Sequence, residues 1–387
     1  MTDQVRAEVA ASAETIIVKV GTRVLTRDDG LLDQQRIAEL AEELASLADS
    51  GRRVALVSSG AVSAGMGRLG ITRRPGDLAQ LQAVAAIGQS HLIETYERAL
   101  RNHGRHAAQL LLTADDLNDR TRYLNVRNTL LALFRHGAMP IINENDTVSV
   151  EELQNSFGDN DRLAAMVTNL LRAPLLVLLS DVEGLYDGDP TEPGSAVIPT
   201  VERLDASVFA LARAGQAGIS KGGMASKLEA ARIATSSGEN VIIASGRRPG
   251  VLSKIVSGEP VGTLFLAQGQ SVTARKRWIG HAVRPRGFLK LDDGARRAIE
   301  EQGRSLLAIG IIEVAGEFKK GDVVALRDAQ GDEFARGLTN FPSRELLQIQ
   351  GRKSNEFEKI LGHRPYDEVI HRDNLVISGK TGRPRLP

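Results

Sequence analysis

The chain has 387 residues, with 49 Lys and Arg against 48 Asp and Glu, a formal net charge of +1, and no cysteine. At about 150 residues per domain, this length predicts two or three domains. The lack of cysteine excludes disulfides, thiolate metal sites, iron–sulfur clusters and a cysteine nucleophile, and fits a reducing compartment. The charge balance excludes a whole-molecule electrostatic grip on nucleic acid or acidic lipid, so any such role is local. No apolar run reaches the ~18 residues of a membrane span. Lys19 interrupts the first apolar stretch, which leaves no signal-peptide pattern. The expectation is a cytoplasmic protein without a membrane partner.

In chain order, short apolar runs bounded by turn residues predict buried strands over 15–20, 53–58, 107–112, 139–142, 174–180 and 240–245. Between them, Leu, Ile and Ala recur at three- and four-residue spacing over 33–50, 79–103, 120–136, 159–172 and 224–237, which predicts helices. Gly51, Gly104, Gly137 and Gly238 follow four of these, where a helix C-terminus calls for a left-handed residue. Alternating strands and helices predict an α/β fold, a mostly parallel sheet with helices on both faces, with ligands beyond the carboxyl ends of the strands.

The pattern changes after about residue 268. Short alternating stretches separated by Asp-Asp-Gly, Lys-Gly-Asp and Gln-Gly-Asp turns predict a small β-rich module. The predicted organisation is an α/β domain over 1–268, a linker over 269–277 and the small module over 278–380. Residues 1–274 carry 27 basic and 32 acidic groups, net −5, whereas 275–387 carry 22 and 16, net +6. A solvated basic face accounts for the second value; a polyanion partner is the other reading.

Gly65, Gly67 and Gly70 satisfy G-x-G-x-x-G, but they do not directly follow a strand and no acidic residue closes a second strand about 20 residues on, so a dinucleotide fingerprint is rejected. A G-x-x-x-x-G-K-[ST] phosphate loop is absent. The strand ends carry the chemistry. Lys19 sits inside the first apolar run, followed by Gly21; it is either an edge-strand lysine with its amine in water or a functional cation, and the apolar residues on both sides favour the second. Ser58-Ser59-Gly60 ends the second strand and is either an anion-holding set of main-chain N–H groups or a plain turn. Asn143-Glu144-Asn145-Asp146 follows the fourth strand, and Asp159-Asn160-Asp161 opens a helix. Capping explains one of those acids but not the whole cluster. Ser180-Asp181 ends the fifth strand. Ser220-Lys221-Gly222-Gly223-Met224-Ala225-Ser226-Lys227 runs into a helix, so glycine-freed N–H groups, a helix N-terminus and two lysines converge in a way that suits an anion.

In this order, VKVGTRVLT (18–26), VSSGAVSAG (57–65), PIINENDTV (140–148), FGDNDRLAA (157–165), LLSDVEGLYDGDP (178–190) and GGMASKLEAA (222–231) resemble the amino acid kinase family. Residues 275–280, 291–299, 303–311 and 314–324 resemble a PUA domain, so the resemblance is nearly end to end. It implies an αβα sandwich followed by a PUA module, and transfer of the ATP γ-phosphoryl group to the side-chain carboxylate of L-glutamate, the first step of proline synthesis. It implies Lys19 and Lys227 as cations on the migrating group and Asp161 as the residue that orients them. Ser59, Asp146 and Asn160 would hold glutamate, with its amino group at Asp146. Lys19, Ser180, Asp181, Lys221, Gly222, Gly223, Met224, Ala225, Ser226 and Lys227 would hold ATP. Magnesium would accompany the nucleotide, with no protein ligand assigned. No general base is needed, because a carboxylate acceptor of pKa about 4.3 is already ionised at neutral pH.

Two departures stand out. Ser220 and Lys221 replace a glycine and a threonine of many members, and the loop between Asp146 and Asn160, with Glu151 and Glu152, is slightly long. In the family this region is linked to feedback inhibition by proline. The resemblance also implies a dimer or tetramer. The competing readings are a sibling kinase with another carboxylate acceptor, and an RNA-binding factor acting through its PUA module.

Overall fold

The computed structural model describes residues 2–148, 159–214, 223–268, 279, 285–363 and 365–377. They fall into two compact units, Met1–Ser271 and Val272–Pro387. Among the described residues no helix is long and apolar enough to cross a membrane.

The first unit is built on eight strands: β1 Thr15–Val20, β2 Arg53–Ser58, β3 Ala107–Leu112, β4 Met139–Glu144, β5 Leu175–Ser180, β6 Thr200–Val201, β7 Asn240–Ser245 and β8 Thr263–Phe265. Their order in the sheet is β3-β4-β2-β1-β5-β7-β8-β6, and every pairing is parallel except that of β7 with β8. The short β6 and β8 carry no sequence signal of their own; main-chain pairing defines them. The helices are α1 Thr2–Ser12, α2 Thr22–Leu25, α3 Gln34–Asp49, α4 Ala61–Leu69, α5 Leu78–Arg101, α6 Ala114–Asn118, α7 Arg120–Arg135, α8 Asp159–Leu171, α9 Ala206–Ala214, α10 Gly223–Ser236 and α11 Val251–Val256.

β1 is buried along its whole length, as a central strand covered on both faces must be. Ile16, Val18 and Val20 join Ile37, Leu40 and Leu44 of α3 and Leu92 and Tyr96 of α5 in one cluster. The two-residue period of a strand then turns Lys19 to the opposite face, where it meets α8 through Asp161. That alternation is why a lysine interrupts an apolar run without leaving the core. α3 and α5 are capped by Asp33 and Asp77, whose carboxylates accept from Arg36 N and Gln80 N, each at 3.0 Å. Gly51, Gly104, Gly137 and Gly238 have φ of +88°, +69°, +70° and +94°, as the helix-end reading requires. On the far side of the sheet, the Arg6 side chain of α1 is buried and donates to the carbonyls of Val261 at 2.8 Å, Pro199 at 2.5 Å and Gly262 at 3.0 Å, beside β6 and β8.

The rejected glycine motif has a structural role. α4 begins three residues after β2, so Gly65 lies inside the helix and Gly70 ends it at φ +67°. A Cβ on Gly65 would lie 1.9 Å from the Val84 carbonyl oxygen, and one on Gly88 of α5 would lie 1.7 Å from that of Ala61. The two helices therefore cross backbone to backbone.

The second unit has β9 Gly287–Leu291, β10 Ile311–Gly316, β11 Val323–Arg327, β12 Glu333–Leu338 and β13 Leu375–Ile377 in the order β10-β9-β11-β12-β13, antiparallel except for β9 with β11. Leu289, Leu291, Val324, Leu326 and Phe334 face a core closed by Phe341, which meets Phe357 edge to face at 5.7 Å.

Gly88→Ala is expected to destabilise the first unit by about 3 kcal/mol, the upper part of the range for overpacking, because the obstructing atom is backbone and cannot rotate away. Urea denaturation followed by circular dichroism checks this, with Gly76→Ala, where an added Cβ meets nothing within 4 Å and φ is not positive, as the comparison.

Candidate active site

The carboxyl ends of β1, β2, β4 and β5 meet the first turns of α4, α8 and α10 on one side of the sheet. This is the crevice where strand order reverses and where ligands bind in open α/β sheets. Lys19 reaches it from β1, Asp161 from the first turn of α8 and Lys227 from the second turn of α10. Lys19 Nζ lies 2.6 Å from Asp161 Oδ1, and Lys227 Nζ lies 3.2 Å from Asp161 Oδ2. Ser226 Oγ donates to the same Oδ2 at 3.1 Å, and Lys227 Nζ also donates to the Gly223 carbonyl at 3.2 Å. All three charged side chains are buried.

Burial alone would raise the Asp161 pKa, but the ammonium groups of Lys19 and Lys227 overcome it and hold the carboxyl below its usual range. Burial lowers the Lys227 pKa, and Lys19 adds to that, against the pull of Asp161. Asp161 is therefore held as an anion that bridges two cations. A Cβ placed on Gly21 would lie 3.8 Å from Lys19 Nζ, so the missing side chain leaves the approach to that ammonium open.

A second group surrounds Asn160. Its Nδ2 donates to Ser59 Oγ at 3.1 Å and to Asn143 Oδ1 at 2.9 Å, and Asn143 Oδ1 also accepts from Glu144 N at 2.9 Å. Ser59 stands just before α4, whose N-cap, Gly60, is left-handed at φ +104° and supplies no side-chain cap. Asp146, buried just beyond β4, accepts from Gln89 Nε2 at 3.3 Å. Its pKa is pushed up to about 6 by burial, against the opposing effects of the Gln89 hydrogen bond and the Arg74 charge. At the end of β5, Ser180 Oγ donates to Asp181 Oδ1 at 3.1 Å, and Arg23 of α2 pairs with Asp181 Oδ2 at 3.0 Å.

The structure thus joins Lys19, Asp161, Ser226 and Lys227 in one cluster and Ser59, Asn160 and Asn143 in another, with Asp146, Ser180 and Asp181 at neighbouring strand ends. Gly223, Met224 and Ala225 form the half-buried first turn of α10. Lys221 and Gly222 lie outside the described residues, as do Glu151 and Glu152. Reading the sequence assigns no role to Asn143, Gln89 or Arg23. Gln89 had a usable signal, since Leu81, Val84, Ala85 and Leu92 place it on the buried stripe of α5. Among the described residues no group of three or more His, Asp and Glu is placed to hold a metal.

Two buried cations bridged by a carboxylate at strand ends, beside a pocket of amide, hydroxyl and acid, define a site for moving an anionic group between small molecules. The family profiles agree with it: the chain belongs to the amino acid kinase family, matched over residues 14–245, and residues 287–361 match the PUA domain. It is 50% identical over 373 residues, 96% of each chain, to a protein of Rhodopirellula baltica named glutamate 5-kinase. It is 47% identical over 373 residues, 96% of this chain and 99% of the other, to a glutamate 5-kinase of Syntrophotalea carbinolica. A solved carbamate kinase from Giardia lamblia bound to AMP-PNP is 16% identical, covers 67% of this chain and 100% of its own, and superposes with a TM-score of 0.48.

Asp161→Asn should cost about 3–5 kcal/mol at neutral pH, because it leaves two buried ammonium groups without their counter-charge. The folded Asp161 pKa lies below its unfolded value of about 3.9, so its contribution is complete above that pH and is lost as pH falls through the folded value. Denaturation midpoints of both proteins from neutral to acid pH should therefore converge only at the acid end.

Proposed function

We propose that this kinase transfers the γ-phosphoryl group of ATP to the side-chain carboxylate of L-glutamate, giving L-glutamyl 5-phosphate and ADP, the entry to proline synthesis. The observation that carries the reading is the bridge Lys19–Asp161–Lys227, together with relatives of that name over almost the whole chain. A glutamate carboxylate oxygen attacks the γ-phosphorus, and the bond from that phosphorus to the β,γ-bridging oxygen breaks. The electron pair leaves with ADP, and no proton has to move. Catalysis is then a matter of alignment and of cations on the equatorial and leaving oxygens, which Lys19 and Lys227 supply while Asp161 keeps them apart and aimed.

Ser59, Asn160 and the uncapped start of α4 suit the acceptor, and Asp146 suits its ammonium. Ser180, Asp181 and the first turn of α10, with Lys221 and Gly222 before it, would hold the nucleotide. Magnesium would enter with ATP, held by phosphate oxygens and water, and would neutralise charge on the phosphates. A cytoplasmic location, a dimeric or tetrameric assembly, inhibition by proline and RNA as a partner of the second unit belong to the same proposal and rest on the family resemblance.

Formation of glutamyl hydroxamate from L-glutamate, Mg-ATP and hydroxylamine tests the acceptor, with aspartate and N-acetylglutamate as alternatives; a preference for either alternative overturns the assignment. Lys19→Ala and Lys227→Ala should each lower kcat by about 10²-fold or more with the fold retained.

Asp146 must be ionised to hold an ammonium, and its raised pKa makes the free enzyme lose that form as pH falls through about 6. kcat/KM for glutamate should therefore drop about tenfold per pH unit below that point. In Asp146→Asn the acid limb should vanish at a lower, flat value.

A further inference from the structure

The inference concerns how Asp146 is held, and it rests on the proposed function. Gln89 is 7% exposed on the apolar stripe of α5, and a buried amide there needs partners. Its Nε2 donates to Asp146 Oδ2 at 3.3 Å and to the Glu144 carbonyl at 3.4 Å, and its Oε1 accepts from Gln109 Nε2 of β3 at 3.4 Å. A carboxylate and a carbonyl only accept, so the NH₂ end of Gln89 must face them, and Gln109 holds the oxygen end. The amide therefore has one orientation.

Its position is equally constrained. The preceding residue is Gly88, where an added Cβ would lie 1.7 Å from the Ala61 carbonyl oxygen and 2.5 Å from Gly65 N. α5 thus rests directly on the first turn of α4, immediately after Ser59 and Gly60. One backbone crossing sets the distance between the Ser59 side of the pocket and the amide that grips Asp146.

We infer that Gln89 is the positioning residue for the amino end of the acceptor: its amide occupies Asp146 Oδ2, so that the other oxygen is presented to the substrate ammonium at a span fixed by the α4–α5 crossing. A donor to the carboxylate also favours its ionised form. The charged group that bears on Asp146 is Arg74, from the segment before α5. Arg74 acts in the same sense as Gln89, whereas Glu144 offers Gln89 its backbone carbonyl.

Two full-length variants test this. Gln89→Met keeps the volume and removes the donor, and Gln89→Glu keeps the shape and sets a carboxylate against Asp146. Glutamate and ATP kinetics are measured by the hydroxamate and ADP assays from about pH 5 to about pH 8. Both variants should raise KM for glutamate about tenfold or more at neutral pH, with KM for ATP unchanged, as expected for a buried carboxylate that loses a hydrogen bond. Both should also move the acid limb of kcat/KM for glutamate to higher pH, Gln89→Glu further than Gln89→Met. A purely structural role would lower kcat, or weaken both substrates alike, without moving that limb. An unmoved acid limb in either folded variant, or equal changes in the two KM values, overturns the inference. Failure of the wild-type enzyme to form the hydroxamate overturns the proposed function instead, so the two failures are separable.

Discussion

Two ammonium groups share one carboxylate at the centre of the kinase unit, and all three are buried. None of them is stable there alone, because an isolated charge in that position would shift its pKa and neutralise. Together, the two ammonium groups hold Asp161 below its ordinary pKa against the burial that would raise it. The three residues come from a strand, the start of one helix and the second turn of another, so the ion cluster exists only when β1, α8 and α10 have docked. The same docking leaves two cations aimed at one crevice before any ligand arrives. Asp161 also sits in the first turn of α8, where the helix dipole favours an anion.

The rest of the pocket depends on how closely backbones approach. Gly21 leaves room beside the Lys19 ammonium, and Gly65 and Gly88 let α4 and α5 touch, which brings the N-terminus of α4 close to the helix that carries Gln89. Gly246, after β7, belongs to the same pattern: a Cβ there would lie 2.7 Å from Val24 Cγ1, which keeps α2 and Arg23 against the strand ends near Asp181. Lysines and acids supply the charge of this crevice, and absent side chains supply its spacing.

The central strands and most long helices were legible because each has an unambiguous period. β1, β2, β5 and β7 read as continuous apolar runs, and all four are buried central strands. β6 and β8, of two and three residues, are too short to have a period, and α4 was obscured by the glycines that let it cross α5. β4 extends to Glu144, beyond its apolar stretch, because pairing with β3 continues through Asn143 and Glu144. Lys19, Asp161 and Lys227 were marked by polarity at strand and helix ends, and the structure brings them together. Gln89 was not marked, because one amide in an apolar stripe looks like a tolerated exception until its partners from β3 and β4 are seen. Arg23 was not marked either: it is exposed, and its partner Asp181 is remote in sequence.

The second unit has its own hydrophobic centre around Phe341 and Phe357, so its sheet does not need the first unit to bury its apolar face. In the first unit, by contrast, the outermost strands rely on a segment from the other end of the chain. The Arg6 guanidinium satisfies three carbonyl oxygens beside β6 and β8. Trimming the opening dozen residues to shorten the protein would remove the Arg6 donor from the Val261 and Gly262 carbonyls and uncover the neighbouring edge, so the amino-terminal helix is a working part of the sheet and a poor place for a deletion.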